Sequence, residues 1–273
     1  NDTITVINDG KTLKAKGTTL GGDDGAGVAL AMSILEDETA VHGPIRAIFT
    51  VDEEDGMSGA DHLDPKHLDA KYLINLDWEE FGSLCNSSAG SDMYRMHRAA
   101  EWEAASGKAY KIAVSGLVGG HSGASIHLKL ANATGLAAVG EDEVEFTVHQ
   151  RSSEPAITAE MKKEYERQAS EHGFTMTLLS SSPAWPLKPG SELVGICERI
   201  FKEQNGHDMS VEPVHAGLEC GSFSSANPAL DIISIGPDIL DIHSPRETLV
   251  LDTVYGCDTL IRAILKEIAD KKA

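Results

Sequence analysis

Short apolar runs that stop on acidic residues constrain this chain more than any other feature. Ile45–Val51 runs straight into Asp52, Glu53, Glu54 and Asp55, and Tyr72–Leu76 ends on Asp77. Leu230–Ile235 continues through Gly236, Pro237 and Asp238 to His243, Ser244 and Pro245. Runs of this kind, rich in Ile, Leu and Val and bounded by turn residues, predict buried strands. Helical patterns lie between them, and strands alternating with helices predict an α/β fold whose sheet has parallel members. In such sheets ligands collect outside the carboxyl ends of the strands. The acids that end these runs therefore stand where a ligand would bind.

The rest of the chain follows a similar alternation. Thr3–Asn8 alternates, Asp9-Gly10 is a turn signal and Thr12–Ala15 returns, which predicts a β-hairpin. Gly17–Gly27 is a Gly-rich loop that opens a helix through Leu35, and a short helix is expected near Ser58–Asp64. Near Ser106 the character changes. Ala109–Ser115 predicts a strand, Gly119–Gly123 leads into a helix ending near Asn132, and Val144, Phe146 and Val148 share one face of a further strand. Ala159–Glu171 predicts an amphipathic helix and Phe174–Leu179 a strand, while 134–140 carries no strand signal. After a linker at Pro183–Pro189 come a helix at Glu192–Gln204, strands at Ser210–Val214 and Leu230–Ile235, and a closing helix at Thr253–Lys272. This reading gives a catalytic domain from residues 1–106 and 183–273, with a smaller α+β domain, 107–182, inserted in it.

Asp23 adds a further acid at a helix N-terminus, where the dipole favours its ionised form. Converging Asp, Glu and His side chains would repel or strand one another without a cation among them. Oxygen donors with an imidazole suit zinc, manganese or cobalt better than calcium. Two such ions about 3.5–4 Å apart form a hydrolytic clamp. The adjacent glutamates then divide the labour, one binding metal and one taking a proton from water. The competing reading of the same residues is capped helices and solvated turns.

With 23 basic and 43 acidic residues, the formal net charge is -20. That balance argues against nucleic acid or an anionic membrane surface as partner. No apolar run is long enough to span a bilayer. Nothing resembles a secretory leader, and Cys85, Cys197, Cys220 and Cys257 are scattered without a Cys-x-x-Cys pair. A cytoplasmic location is expected.

The strings GTTLGGDDGAGVA, FTVDEEDGMSGA, LINLDWEE, GLVGGHSGASIH, HAGLECGSF and SIGPDILDIHSP form an ordered set. Together they resemble the aminoacyl-histidine dipeptidase (Xaa-His dipeptidase) branch of the zinc aminoacylase/carboxypeptidase metallopeptidase clan. The resemblance implies a mixed-sheet zinc-peptidase domain with an inserted lid that forms a homodimer. It implies hydrolysis of dipeptides, of the Xaa-His type, by water activated on two zinc ions per subunit, with manganese or cobalt as substitutes. Asp23 matches the ligand shared by both metals, Glu54, Asp77 and His243 match further ligands, and Glu53 matches the general base. His121 matches a residue that reaches into the partner's site to stabilise the oxyanion. Asn132 and Arg151 match residues holding the substrate carboxylate, and Glu219, with His215 beside it, stands where the substrate amino group would be met. Related tripeptidase, aminoacylase or carboxypeptidase activity, or a non-catalytic scaffold, are the other functions this pattern leaves open.

Two departures accompany the resemblance. The pattern includes a His-x-Asp motif upstream of the Gly-rich loop, whereas His42 is the first histidine here, and His42, His62 and His67 match nothing in it. The stretch between Asn132 and Arg151 is also shorter than the pattern implies. Segments are therefore expected to be missing before residue 1 and near residues 135–138, leaving a shortened lid.

Overall fold

The computed structural model describes residues 3–54, 56–101, 137–139 and 143–271. In chain order its elements begin with β1 (Val6–Asn8), β2 (Thr12–Ala15), α1 (Gly22–Glu36), α2 (Ser58–Asp61), a 3-10 turn (Pro65–Leu68) and β3 (Tyr72–Asn75). β4 (Ser83–Ser88), β5 (Gly90–Ala99), β6 (Ala137–Val139), β7 (Glu143–Ser152), α3 (Pro155–Glu171) and β8 (Thr175–Ser182) follow. The C-terminal part adds α4 (Glu192–Asn205), β9 (Ser210–Val214), α5 (Cys220–Ala226), β10 (Asp231–Ser234), β11 (Ile239–Leu240), β12 (Thr248–Val250) and α6 (Leu251–Asp270). The chain divides into two units: Asn1–Ser87 with Leu187–Pro213 and Ser222–Ala273, and Ser88–Pro186 with Val214–Gly221.

The first unit is α/β with a mixed sheet, as the alternation predicts. Its central sheet has the order β3-β10-β4-β9. β10 runs parallel to β3, from Asp231 opposite Tyr72 to Ser234 opposite Asn75, and antiparallel to β4. The carboxyl ends of β3 and β10 therefore open on the same edge. Leu84, Ile233 and Ile235 pack with Leu193, Ile196, Ile200 and Phe201 of α4 and with Leu260, Ile261 and Ile264 of α6. Each fully buried side chain of this size contributes about 1.5–3 kcal/mol. α4 starts where Ser191 Oγ accepts from the Val194 N–H at 3.0 Å and stops at Gly206 with φ 77°. The predicted hairpin of β1 and β2 joins β12 and β11 in a small antiparallel sheet.

The second unit is an antiparallel sheet of order β6-β7-β5-β8. β5 pairs with β7 along its whole length, Gly90 opposite Ser152 and Ala99 opposite Glu143. Tyr94, Met96 and Ala169 form an apolar cluster with Phe146, Val148, Tyr165, Phe174 and Met176, so α3 covers one face.

Four elements depart from expectation. Ile45–Val51 forms no strand, and Phe49 and Val51 are 52% and 65% exposed. Apolar composition makes a segment buryable, but a strand also needs a neighbour with free backbone groups in register. β6 does form, with Ala137 opposite Phe146 and Val139 opposite Val144, although it is too short to carry a periodic signal. β4 and β5 went unassigned in the sequence because polar and apolar residues mix along both of them. The strand predicted at Ala109–Ser115 and the helix predicted to end near Asn132 lie outside the described residues.

Candidate metal centre

Asp23 sits in the first turn of α1, behind the Gly-rich loop. Asp77 follows β3 at the carboxyl edge, its N–H donating to Asn75 Oδ1 at 3.3 Å, while Ser234 Oγ of the neighbouring β10 donates to the same oxygen at 2.5 Å. The chain beyond β10 crosses the segment after Asp77 closely: a Cβ on Gly236 would lie 1.7 Å from the Trp78 carbonyl oxygen. Only glycine permits that approach. Ile239 N–H then donates to Glu79 O at 3.0 Å and Phe81 N–H to Asp238 Oδ1 at 2.8 Å, tying the two segments together.

Glu53 and Glu54 lie in a turn rather than at a strand end. Met57 N–H donates to the carbonyls of Asp52 and Glu53, and Gly59 N–H to Val51 O. Asp52 (φ 57°) and Met57 (φ 60°) in this turn, and Asp241 (φ 53°) and His243 (φ 57°) in the other, are in the left-handed region that non-glycine residues rarely occupy. Strain of this kind clusters at functional sites.

These turns converge on Asp23. His243 Nε2 lies 3.0 Å from Glu54 Oε2 and 3.2 Å from Asp23 Oδ2. Asp23, Glu54 and His243 offer ligand atoms within 4.8 Å of one another, and so do Asp23, Asp77 and Glu79. Asp23 belongs to both groups.

The carboxylates disturb one another strongly. Burial pushes the Asp77 carboxyl well above the usual range, and Asp24, Asp23, Glu53 and Glu79 add repulsion. Burial, with the charge of Asp23 next, raises Glu79 to about 7. Burial and then Asp23 also raise Glu54, while His243 opposes the rise. A divalent cation relieves this crowding. A donor set of carboxylate oxygens and one imidazole suits zinc, manganese or cobalt, so the residues present fit such ions.

Of the predicted site residues, Asp23, Glu54, Asp77 and His243 come together in the first unit, and Glu53 is near enough for its charge to raise both Asp77 and Glu79. Arg151, His215 and Glu219 belong to the second unit, where Arg151 points Nη1 at the His215 carbonyl, 3.5 Å away, and Glu219 is buried. His121 and Asn132 lie outside the described residues. Sequence reasoning missed Glu79 and Glu247. Glu79 stands two residues past Asp77, among adjacent acids that look like a solvated turn. Glu247 lies just beyond the His-Ser-Pro string and carries no pattern of its own.

Carboxylates and an imidazole gathered beside the carboxyl edge of a mixed α/β sheet are the donor set that a metal-dependent hydrolase needs. The profile of Peptidase family M20/M25/M40 matches residues 3–267, so the chain belongs to that family and is a metallopeptidase. The cytosol non-specific dipeptidase of Escherichia coli (strain K12) is 26% identical over 392 residues, covering 99% of this chain and 81% of that protein. The crystal structure of aminoacylhistidine dipeptidase from Vibrio alginolyticus shares the fold with a TM-score of 0.81 at 22% identity, covering 97% of this chain and 79% of that one. A dinuclear metal-binding M20 peptidase from Bacillus subtilis is more distant, with a TM-score of 0.56 and 12% identity over 90% of this chain and 70% of that one.

Proposed function

We propose that this metallopeptidase hydrolyses dipeptides of the Xaa-His, carnosine-like type, with two divalent cations, zinc by choice of donors. Asp23 is the shared ligand, Glu54 and His243 complete one group, and Asp77 belongs to the other. The observation that carries this reading is the membership of Asp23 in both ligand groups. The name of the Vibrio alginolyticus relative supports the Xaa-His preference. The name of the Escherichia coli relative favours a second reading, a dipeptidase without strict side-chain preference.

When bound, the cations supply an acidified water and an electrophilic contact for the substrate carbonyl. Glu53 takes a proton from the attacking water as its oxygen bonds to the peptide carbon. The same carboxyl returns that proton to the leaving nitrogen as the C–N bond breaks. By the resemblance, His121 of the partner subunit donates to the developing oxyanion. Asn132 and Arg151 hold the substrate carboxylate, Arg151 with a fork suited to bidentate pairing. Glu219 and His215 meet the free amino group. The second unit serves as lid and homodimer contact, and the protein works in the cytoplasm.

Metal content per chain, measured together with turnover on Xaa-His dipeptides, other dipeptides and a tripeptide, tests the proposal. Two ions per chain with preferred Xaa-His turnover is the expected result. Equal turnover on all dipeptides selects the broader reading, and no metal with no turnover leaves a scaffold. Glu53→Gln should keep its metal and lose about 10²–10⁴-fold in rate. Undiminished hydrolysis by that variant removes Glu53 from the role of base.

A further inference from the structure

A short turn opens α1 before the regular helix: Asp23 and Asp24 have non-helical φ/ψ, and Asp24 Oδ1 caps the helix that follows by accepting from Gly27 N–H at 2.8 Å. The backbone of this opening turn, with Gly21 at φ 76°, has no side-chain cap of its own, so its N–H groups need an acceptor from elsewhere. Glu247 provides it from the far end of the chain. Its Oε2 accepts from the N–H of Leu20 at 2.7 Å and of Gly21 at 3.1 Å. Its Oε1 accepts from Gly22 at 2.7 Å and Asp23 at 3.1 Å. The residue is 3% exposed. A carboxylate offers about four acceptor sites, and main-chain donors fill them here. Glu247 thus stands against the turn that opens α1, with its oxygens engaged by backbone and not offered to a cation.

The segment that carries Glu247 also carries His243. Glu247 N–H donates to Ser244 O at 3.1 Å, Arg246 N–H to Ser244 Oγ at 3.1 Å, and Ser244 Oγ to Asp241 O at 2.7 Å. Residues 241–247 therefore form one bonded turn. Its first part sets the imidazole against Asp23 and Glu54, and its last residue grips the backbone from which Asp23 projects.

We propose that Glu247 is a positioning residue of the metal centre: its carboxylate fixes the 20–23 backbone so that Asp23 faces both ligand groups, and it locks that loop to the turn of His243. The inference rests on the reading of Asp23 and His243 as ligands. An ordinary helix cap would change stability alone. A positioning residue also changes how metal is held, and only while Asp23 is there to be positioned.

The test is titration with Co²⁺ against a chromophoric chelator, with the visible Co²⁺ spectrum and circular dichroism, on the wild type, Glu247→Gln, Asp23→Asn and the double variant. Glutamine keeps the shape but turns an N–H₂ toward two N–H donors. The expected result is a folded Glu247→Gln chain with an altered Co²⁺ spectrum and about 10- to 100-fold weaker binding, and little further loss in the Asp23→Asn background. Unchanged affinity and spectrum, or an equal loss with and without Asp23, overturns the inference. A wild type that binds no Co²⁺ overturns the metal reading itself and this inference with it. If Glu247→Gln does not fold, Gly22→Ala decides, because its Cβ would stand 3.1 Å from Glu247 Oε1. Weakened Co²⁺ binding in that variant supports the positioning role, and unchanged binding overturns it.

Discussion

Glu79 lies two residues beyond Asp77, and burial with the charge of Asp23 raises its carboxyl to about 7 from an ordinary 4.5. Between those values the folded chain holds a proton that the unfolded chain has released. The native state then binds more protons than the unfolded one, so stability falls as pH rises through this window. The contribution is fully present below the unfolded value and is lost by the folded one; Asp77 and Glu54, both raised, act in the same sense. The metal-free chain is therefore expected to melt at lower temperature at pH 7.5 than at pH 5, and Glu79→Gln to flatten that slope. Saturating divalent metal should oppose the decline, since ligation requires ionised carboxylates. Thermal melts at a series of pH values check this, and a Glu79→Gln chain with the full wild-type slope refutes it. At this scale the sequence showed Asp77 because a buried strand ends on it. Glu79 was invisible because an acid in an acidic turn is ordinary until burial makes it otherwise. Glu247 was invisible because its partners are backbone N–H groups more than two hundred positions away, which no local spacing encodes.

Elements deliver these residues through a few close approaches. Gly236 is the tightest, its missing Cβ facing two carbonyl oxygens, those of Trp78 and Leu76. Gly236→Ala must push two backbone segments apart and is expected to cost about 1–3 kcal/mol or more and to weaken metal binding through Asp77. Urea unfolding and Co²⁺ titration measure the two effects, and a variant unchanged in both would show that the crossing relaxes freely. The helices α1, α3, α4 and α6 and the strands β1, β2, β3, β7, β8, β9 and β10 were legible because composition, periodicity and turn residues agree there. The strand expected at Ile45–Val51 failed on pairing, which is a property of the neighbour and not of the segment. The acids after it still reach the centre, Glu54 through a turn with Asp52 and Met57 at positive φ. Glu54 thus stands beside His243 although no strand carries it there.

At the scale of the molecule, the ligand groups among the described residues draw on the first unit, whereas Arg151, His215 and Glu219 belong to the second. Binding of a cation is then linked directly to the folding of one unit. The formal charge of -20 adds to the repulsion that a cation relieves. A ligand at 100 times its Kd stabilises the state that binds it by about 2.7 kcal/mol. For a chain of this size that corresponds to a rise of roughly 5–10 °C in melting temperature. Calorimetry with a chelator and then with excess Zn²⁺ or Co²⁺ should show the transition of the first unit rising by this order. Any separate transition of the second unit should stay in place, and a single transition that moves as one would mean that the two units melt cooperatively. Replacing Asp23 by Asn removes the one carboxylate common to both groups and should abolish most of the rise, whereas Glu219→Gln should leave it intact. If saturating metal leaves every transition where the chelator put it, the carboxylates have gathered at the sheet edge without serving as ligands.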